Sequence, residues 1–228
     1  MPKKILISLA PLLAVVAFAI APAMAQAEPH WYSCHEVGAG TGKYTDADCT
    51  NKVKGNFELT RLPFTEAKTQ VISWGKLSLH NAALGEVTCK NVDAGNVWNV
   101  ALASPGLDNI EVFTLYECVS AGCKKGLEVT SEGLPWPTEL IVVGGVIRVK
   151  IGTAAKPVKI RVKCAEPVGN FLFEGQLTPR WVNNSPSYAE FGEGSGELIN
   201  PEVGPGTVTG KEKIMGFENQ EQIQVFNP

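Results

Sequence analysis

Short segments in which apolar and polar residues alternate recur along most of this chain, and they limit its fold more than any other feature. In KIRVKC (residues 159–164) the side chains of Ile160, Val162 and Cys164 share one face, and the basic side chains share the other. Such segments are typical of half-buried β-strands, in which successive side chains point to opposite faces. Helical periodicity is scarce beyond the N-terminal residues. The pattern predicts an all-β protein, an antiparallel β-sandwich or open barrel with a disulfide-tied N-terminal segment.

Residues that favour turns separate the predicted strands. We expect turns at residues 93–96 (Asp-Ala-Gly-Asn) and 108–109 (Asp-Asn), while Gly144-Gly145 forms either a hairpin turn or a bulge in one bent strand. The polar segment 178–196 is rich in Gly, Ser and Asn, and it is predicted to be a long loop or a linker into a final hairpin. The 23 glycines and 15 prolines of the chain fit this density of turns.

The first 25 residues have the three parts of a secretory signal peptide. Lys3 and Lys4 precede an uninterrupted apolar run over residues 5–21, and Ala23-Met24-Ala25 offers the small residues that a signal peptidase recognises. Residues 25–27 offer a second such site. An uncleaved membrane anchor is the alternative, but the small residues favour cleavage. We therefore expect an exported protein, secreted or held at the cell surface, with no membrane span after cleavage.

Charge gives no reason to expect nucleic acid as a partner. The whole chain has a formal net charge of −3, and removal of residues 1–25, which contain two lysines and no acidic residue, leaves −5. A mildly acidic protein has no general electrostatic attraction to nucleic acid or to an anionic membrane. The expected partner is an extracellular ligand or a surface component.

Six cysteines, all after residue 25, predict a disulfide framework in an exported chain. Fifteen connectivities are possible, and we favour Cys34–Cys49, Cys118–Cys123 and Cys89–Cys164. Each of the first two pairs brackets a short polar connection that can fold back on itself. In the third pair both cysteines lie on the apolar face of a segment with period two, so that a bond through the core is expected.

These features divide the chain into three parts. They are a signal peptide (1–25), a disulfide-tied N-terminal segment (26–66) and a β-sandwich domain (67–228). The N-terminal segment is less rich in strand patterns than the rest. Removal of Cys34 or Cys49 is expected to loosen that segment and to leave the β-domain folded.

The segment between Cys34 and Cys49 contains residue types found in phosphate, metal and nucleophile sites, but none of these motifs is complete. Its GAGTGK fails as a phosphate-binding loop, because Val37 stands where the first glycine belongs and Tyr44 where Ser or Thr belongs. Asp46 and Asp48 resemble the start of a calcium loop that lacks its glycine and its bidentate acid. A disulfide-bonded cysteine is neither a zinc ligand nor a nucleophile. We predict no catalytic residue, no metal site and no cofactor.

Two tryptophans are candidates for ligand binding. Trp136 lies between two prolines in LPWP (134–137), which hold the chain extended and remove backbone donors. Trp181 lies in the polar segment 178–196. We predict that Trp136 and Trp181 present exposed aromatic faces to a ligand; the alternative is a place in the core, which tryptophans often occupy.

The segments WYSC, GKYTDADCT, LGEVTCKN and GLPWPTEL together resemble a set of uncharacterised secreted proteins of high-GC Gram-positive bacteria. The resemblance implies export and a cysteine framework, and it implies no activity. We predict a secreted, disulfide-stabilised, β-rich protein that acts as a non-catalytic binding or structural module at the cell surface or outside the cell. The alternative is an extracellular hydrolase acting on polysaccharide, with carboxylates at the rim of the β-structure.

Overall fold

The structure is a computed structural model that describes residues 28–65, 67–166 and 168–227. The predicted signal peptide, residues 1–25, lies outside the described residues. Within those ranges the chain forms fifteen β-strands and no helix. The strands are β1 (His30–Glu36), β2 (Phe57–Arg61), β3 (Thr69–Asn81), β4 (Gly85–Trp98), β5 (Leu107–Ser120), β6 (Glu128–Glu132), β7 (Trp136–Val143), β8 (Val146–Ile151), β9 (Val158–Cys164), β10 (Gly169–Gly175), β11 (Arg180–Val182), β12 (Tyr188–Phe191), β13 (Glu197–Asn200), β14 (Gly204–Gly216) and β15 (Gln222–Phe226).

The ladders between these strands are antiparallel, so the expected all-β antiparallel fold is confirmed. Twelve strands form one large sheet, and β15, β1 and β2 form a small one. Four strands of 13 or 14 residues, β3, β4, β5 and β14, lie next to one another in the large sheet. At one end of these four strands the sheet continues through β7, β8, β11 and β12, and at the other end it continues through β13, β10, β9 and β6.

At one end of the long strands the sheet closes on itself. Strands β3, β4, β5, β7, β8, β11, β12 and β14 form a hydrogen-bonded ring, which is completed where Tyr188–Phe191 of β12 pair with Gly210–Lys213 of β14. Inward-facing side chains such as Leu140, Val149 and Trp181 fill it. We call this part the closed ring.

At the other end the long strands continue beside β13, β10, β9 and β6, and the sheet stays open. Strand β6 pairs with β9 on one side, but no ladder joins it to β5 within the described part of the chain. The Ser131 hydroxyl donates to the Phe113 carbonyl oxygen across this gap, at 2.6 Å. The core here is apolar and includes Val87, Val162 and Phe173. We call this part the open half.

Strand β14 changes its partner at Gly210. Residues 204–207 pair with β13, and residues 210–213 pair with β12. Gly210 has a φ of 129°, which other residues rarely adopt, and a Cβ atom there would lie 2.2 Å from the Lys76 carbonyl oxygen. Any other residue at this position would therefore strain β14 and push it away from β3.

The small sheet of β15, β1 and β2 covers the end of the closed ring, and we call it the cap. Trp31 of β1 is fully buried, and its ring nitrogen donates to the Leu107 carbonyl oxygen of β5 at 2.9 Å. Two asparagine side chains outside the cap form hydrogen bonds with the backbone of the cap, in the way that a neighbouring strand does. Asn99 bonds both N and O of Trp31, and Asn183 bonds both N and O of Val225. These amides dock the cap on the large sheet.

All six cysteines are disulfide-bonded, but two of the three expected pairs are wrong. The bonds are Cys34–Cys49, as predicted, together with Cys89–Cys118 and Cys123–Cys164 in place of Cys89–Cys164 and Cys118–Cys123. Cys89 and Cys164 both face the interior, but their strands are not neighbours, since β4 lies between β3 and β5 while β9 lies between β10 and β6. The connection from β5 to β6 instead runs to the end of β9, where the Lys124 amide donates to the Glu166 carbonyl oxygen at 2.7 Å.

Two of the predicted turns lie inside long strands. Residues 93–96 belong to β4, where a register shift between Ala94 and Gly95 marks an irregularity, and residues 108–109 belong to β5. Asp, Asn and Gly favour turns as isolated residues, but cross-strand pairing overrides that preference here. Gly144-Gly145 is a hairpin turn between β7 and β8.

The segment 178–196 is not a long loop or linker. It contains β11 and β12, and these strands complete the closed ring. Its few inward-facing residues, Trp181, Ala189 and Phe191, are buried. Strands of three and four residues are too short to show a clear alternation, which explains the wrong prediction.

The boundary at residue 66 stays a prediction. Strand pairing crosses it, because His30–Cys34 of β1 pair with Gln222–Phe226 of β15. None of the described residues belongs to a helix with the length and apolar character needed to cross a membrane.

Replacement of Asn99 is expected to loosen the cap. Asn99 is fully buried, and its side chain also donates to the Leu62 carbonyl oxygen at 2.8 Å. Asn99→Ala would leave buried backbone groups without a partner and should lower the free energy of unfolding by about 3 kcal/mol, measured by chemical denaturation. Asn219→Ala is the control, because Asn219 is exposed, and it should cost less than about 0.5 kcal/mol. Equal effects of the two substitutions would contradict this role of Asn99.

Candidate functional site

Three carboxyl side chains point into the closed ring. Asp93 of β4, Asp108 of β5 and Glu212 of β14 are each less than a tenth exposed, and they share an interior cavity. None of the ion pairs among the described residues includes them. Buried acids without a cation are uncommon, because loss of hydration penalises the charged form.

Cross-strand register and one glycine bring the acids together. Glu212 lies opposite Gly75 of β3, which lies opposite Asn91 of β4. Because Gly75 has no side chain, Asn91 reaches across it, and its Nδ2 atom donates to Glu212 Oε1. Asp93, two residues further along β4 on the same face, lines the same small cavity as Glu212. A Cβ atom at position 75 would also lie 2.1 Å from the Lys211 carbonyl oxygen, so the glycine sets this geometry.

Burial raises the pKa of all three carboxyl groups. Loss of hydration raises the pKa of Asp108 to about 7, although the hydroxyl of Thr138 opposes the increase. Burial raises the pKa of Asp93 to about 6 and that of Glu212 well above its usual value, and the charge of Asp93 adds to the increase at Glu212. Hydrogen bonds from Ser73 oppose the increase at Asp93. At neutral pH the cluster therefore retains protons.

The space beside these acids is small. A cavity of about 40 Å³ lies among them and the rings of Trp31 and Trp181. A second cavity of about 60 Å³ is almost wholly apolar, and Glu212 is the one charged side chain that lines it. Each has room for only a few water molecules and is far too small for a sugar ring. Among the residues that the structure describes, no group of three or more His, Cys, Asp and Glu side chains is arranged to hold a metal ion.

Trp136 and Trp181 lie in the core, so the expectation that they are exposed is wrong. They are 2% and 7% exposed. The ring nitrogen of Trp136 donates to the Glu132 carbonyl oxygen at 3.0 Å, and that of Trp181 donates to Asn183 Oδ1 at 2.7 Å. Contact of either ring with a ligand stays a prediction, and it requires the core to open.

The polar side chains of the Cys34–Cys49 segment stabilise the segment itself. The Asp46 carboxylate accepts hydrogen bonds from the backbone amides of Thr50 and Asn51, both at 2.8 Å. Slight burial raises the pKa of Asp46, but these bonds outweigh that effect and the net shift is downward. Asp46 therefore stabilises the turn that contains it.

The outward side of β12, β14, β3, β4 and β5 is a continuous exposed surface, which we call the outer face. Strand pairing places two rows of side chains across it. One row is Tyr188, Lys213, Trp74, Val92 and Thr114, and the next is Glu190, Lys211, Lys76, Lys90 and Tyr116. Trp74 is half-buried at the centre of the first row.

Apolar side chains extend the outer face along β5. Val112, Tyr116 and Val119 point outward and are 53%, 42% and 64% exposed. Ile72 and Met215 lie opposite each other beside Trp74 and are half-buried. Exposed apolar and aromatic side chains beside charged ones are typical of interaction surfaces. The outer face is therefore the strongest candidate for a binding site.

A second half-buried tryptophan lies at the surface, outside the two rows. Trp98 lines a surface cavity of about 210 Å³ together with Glu139 and Lys150, which form an ion pair. The Nζ atom of Lys68 lies 4.5 Å from the centre of the Trp98 ring. Another surface cavity, of about 370 Å³, is lined mainly by polar side chains. Trp98 offers a matched comparison for Trp74.

The alternation in the sequence places two of the buried acids on apolar faces, although we predicted a turn at Asp93. Val87 and Cys89 share a face, and continuing the alternation places Asn91 and Asp93 on that same face. In the same way KEKIM (211–215) places Glu212 with Ile214. The rows of the outer face had no such signal, because they depend on which strands pair and in which register.

The stability of the protein should decrease as the pH rises from about 5 to 7. In that range the folded protein holds more protons than the unfolded chain, because the pKa of Asp93, Asp108 and Glu212 is raised. Acids with a lowered pKa, such as Glu132, are ionised in both states above about pH 5 and do not oppose this. Asp108→Asn keeps the shape of the neutral acid. It should raise the free energy of unfolding, relative to the wild type, by about 2 kcal/mol more at pH 8 than at pH 5.

Chemical denaturation of both proteins at several pH values measures this difference. Glu193→Gln is the control, because Glu193 is exposed, and its profile should run parallel to that of the wild type. A wild-type stability that does not change between pH 5 and pH 7 would show that the cluster is not protonated.

No family model, curated protein or solved structure matches this chain. The roles of the buried carboxyl groups and of the outer face are therefore inferred from geometry and charge alone.

Proposed function

We propose that this protein is a secreted, disulfide-stabilised binding module without catalytic function, which acts at the cell surface or outside the cell. The outer face centred on Trp74 is its binding surface. One observation carries the proposal: the carboxyl groups with a raised pKa are enclosed, while half-buried aromatic side chains lie beside exposed lysines on regular strands.

The disulfides support an extracellular location. Among the described residues there is no free cysteine, because all six form disulfide bonds. Disulfides persist in oxidising compartments and are rare in the cytosol. The signal-peptide pattern of residues 1–25 supports the same location.

The strands that carry the outer face support a role in binding. Trp74 lies on β3, which is paired along its length with β4 on one side and with β14 on the other. Side chains on such strands are held in place before a ligand arrives, so that binding orders little additional structure. A preformed surface of this kind suits a binding module.

An extracellular hydrolase that acts on polysaccharide is the second candidate, because Asp93 and Glu212 lie close together with raised pKa values. Glycosidases hold two carboxyl groups at least about 5 Å apart, on either side of a sugar. Here both groups are buried, Trp31 of the cap lines the cavity beside them, and that cavity is only about 40 Å³. The geometry therefore favours binding over hydrolysis.

Trp74→Ala should weaken binding about ten-fold, because an aromatic contact contributes roughly 1–1.5 kcal/mol. The measurement is retention of the disulfide-bonded protein on insoluble cell-wall material of a high-GC Gram-positive bacterium, determined by sedimentation over a range of concentrations. Trp98→Ala is the matched control, because it removes a half-buried tryptophan of β4 that lies outside the two rows. It should leave retention unchanged.

Other outcomes would count against the proposal. Loss of retention in Trp98→Ala but not in Trp74→Ala would move the binding site to the cavity beside Trp98. Release of reducing sugar from the same material by the wild type, abolished by Glu212→Gln, would establish hydrolysis instead. Absence of retention of the wild type would contradict binding at the cell wall. Circular dichroism of each variant shows whether it is folded.

A further inference from the structure

We infer that the ligand of the outer face is an acidic polysaccharide, a chain of sugars that carries carboxylate or phosphate groups. The inference rests on the proposed function and specifies the chemistry of its ligand. It depends on a row of lysines, on unpaired positive charge at the centre of that row, and on the spacing of the aromatic side chains.

Three lysines stand side by side on the outer face. Lys211 of β14 pairs with Lys76 of β3, and Lys76 pairs with Lys90 of β4. Side chains paired in this way have Cβ atoms about 5 Å apart, and like charges directly opposite each other destabilise a sheet. Lys213, two residues along β14, adds a fourth positive charge on the same side. A bound anion would relieve this repulsion.

Acidic neighbours neutralise only the two ends of the row. The Nζ atom of Lys211 lies 3.1 Å from Glu190 Oε1, and Lys90 is ion-paired with Glu117. Within the described residues Lys76 and Lys213 form no ion pair, and both are exposed. The centre of the outer face therefore offers two cations to an anionic ligand.

The nearest acid on the same side of β4 is engaged elsewhere. The Glu86 carboxylate accepts a hydrogen bond from the Thr88 hydroxyl at 3.0 Å, and that hydroxyl is 2.6 Å from the Ser78 hydroxyl. Hydrogen bonds from Ser78 and Thr88 lower the pKa of Glu86, and the charge of Lys76 contributes less. Among the described residues Glu86 therefore forms no direct ion pair with Lys76 and attracts it only at longer range.

The aromatic side chains indicate a sugar chain and not a single sugar. Trp74 lies between Lys213 and Val92 in its row and beside Lys76 along β3. Aromatic faces pack well on the apolar face of a sugar ring. Tyr188 lies two strands from Trp74, a distance of roughly 10 Å, so that one sugar does not reach both. A polymer can pack on both rings while its anionic groups meet the lysines between them.

Charge density favours a polysaccharide over nucleic acid. The chain as a whole has a net charge of −3, so a polyanion that extends beyond the outer face is repelled. DNA carries one charge per about 1.7 Å, which two unpaired lysines do not balance. A polysaccharide with one anionic group per sugar, or fewer, suits this surface better.

The test compares polygalacturonate with the same polymer after full methyl esterification, which removes the charge and keeps the sugar chain. The disulfide-bonded protein should bind the acidic polymer about five-fold more tightly at low ionic strength, measured by titration calorimetry. The preference should shrink as salt is added, because salt screens exposed charges. A polysaccharide that carries phosphate groups on its sugars forms a second arm, which shows whether carboxylate or phosphate is preferred.

Lys76→Gln tests the unpaired charge directly. It retains a long polar side chain, and we expect it to weaken binding to polygalacturonate about three-fold and to reduce the salt dependence. Lys156→Gln is the matched control, because Lys156 is an exposed lysine in the connection between β8 and β9. It should bind as the wild type does. Both substitutions lie at the surface, and thermal unfolding confirms that the variants are folded.

Several results would overturn the inference. They are equal binding of the acidic and esterified polymers, equal effects of the two lysine substitutions, tighter binding of double-stranded DNA than of polygalacturonate, or no binding to any acidic polymer. If retention on cell-wall material still depends on Trp74 in these cases, the proposed function stands and the ligand is not an acidic polysaccharide. If that retention also fails, both proposals fall.

Discussion

Strand β14 has to pair with different neighbours at its two ends, and the rest of the molecule follows from this constraint. Strand β14 meets β13 over its first residues and β12 over its later ones, with Gly210 at the change of partner. That change closes the sheet at one end and leaves it open at the other. It also sets the register of β14 against β3, which places Glu212 inside the closed ring and the neighbouring lysines outside it. Glu212 and its neighbours Lys211 and Lys213 therefore lie on opposite faces of the same strand.

Covalent bonds reinforce the molecule where strand pairing is incomplete. No ladder joins β5 to β6 in the described part of the chain, and the Cys123–Cys164 bond ties the connection between these strands to the end of β9. The Cys89–Cys118 bond links β4 and β5 beside the same gap. In the closed ring, hydrogen bonds alone complete the circle, and polar side chains occupy part of its interior. The open half has an apolar core, and a disulfide can be buried in it without a polar partner.

The class of fold could be predicted from the sequence, whereas the candidate site could not. The alternation of apolar and polar residues in segments such as KIRVKC depends only on local strand geometry. It therefore predicted correctly that these segments are strands and that Cys89 and Cys164 face the interior. Which strands are neighbours depends on contacts far apart in the chain, and this is why the disulfide pairing failed for two bonds. Turn preference gave the wrong prediction at Asp93 and Asp108, because both residues lie within long paired strands that point their side chains into the closed ring. Trp136 and Trp181 were expected at the surface because prolines and polar residues flank them. Both residues instead lie on strands with their rings buried in the core.

The docking of the cap by Asn183 has a consequence for modification of the chain. Asn183-Asn184-Ser185 matches the acceptor sequence for N-linked glycans, and the nitrogen that would receive the sugar is Nδ2 of Asn183. In the folded protein that atom donates to the Val225 carbonyl oxygen at 2.7 Å. Asn183 is exposed, and its amide keeps one N–H group after a sugar is attached, so the cap stays docked only if that remaining group points at Val225. A sugar at this site would therefore be attached directly to one of the two amides that dock the cap.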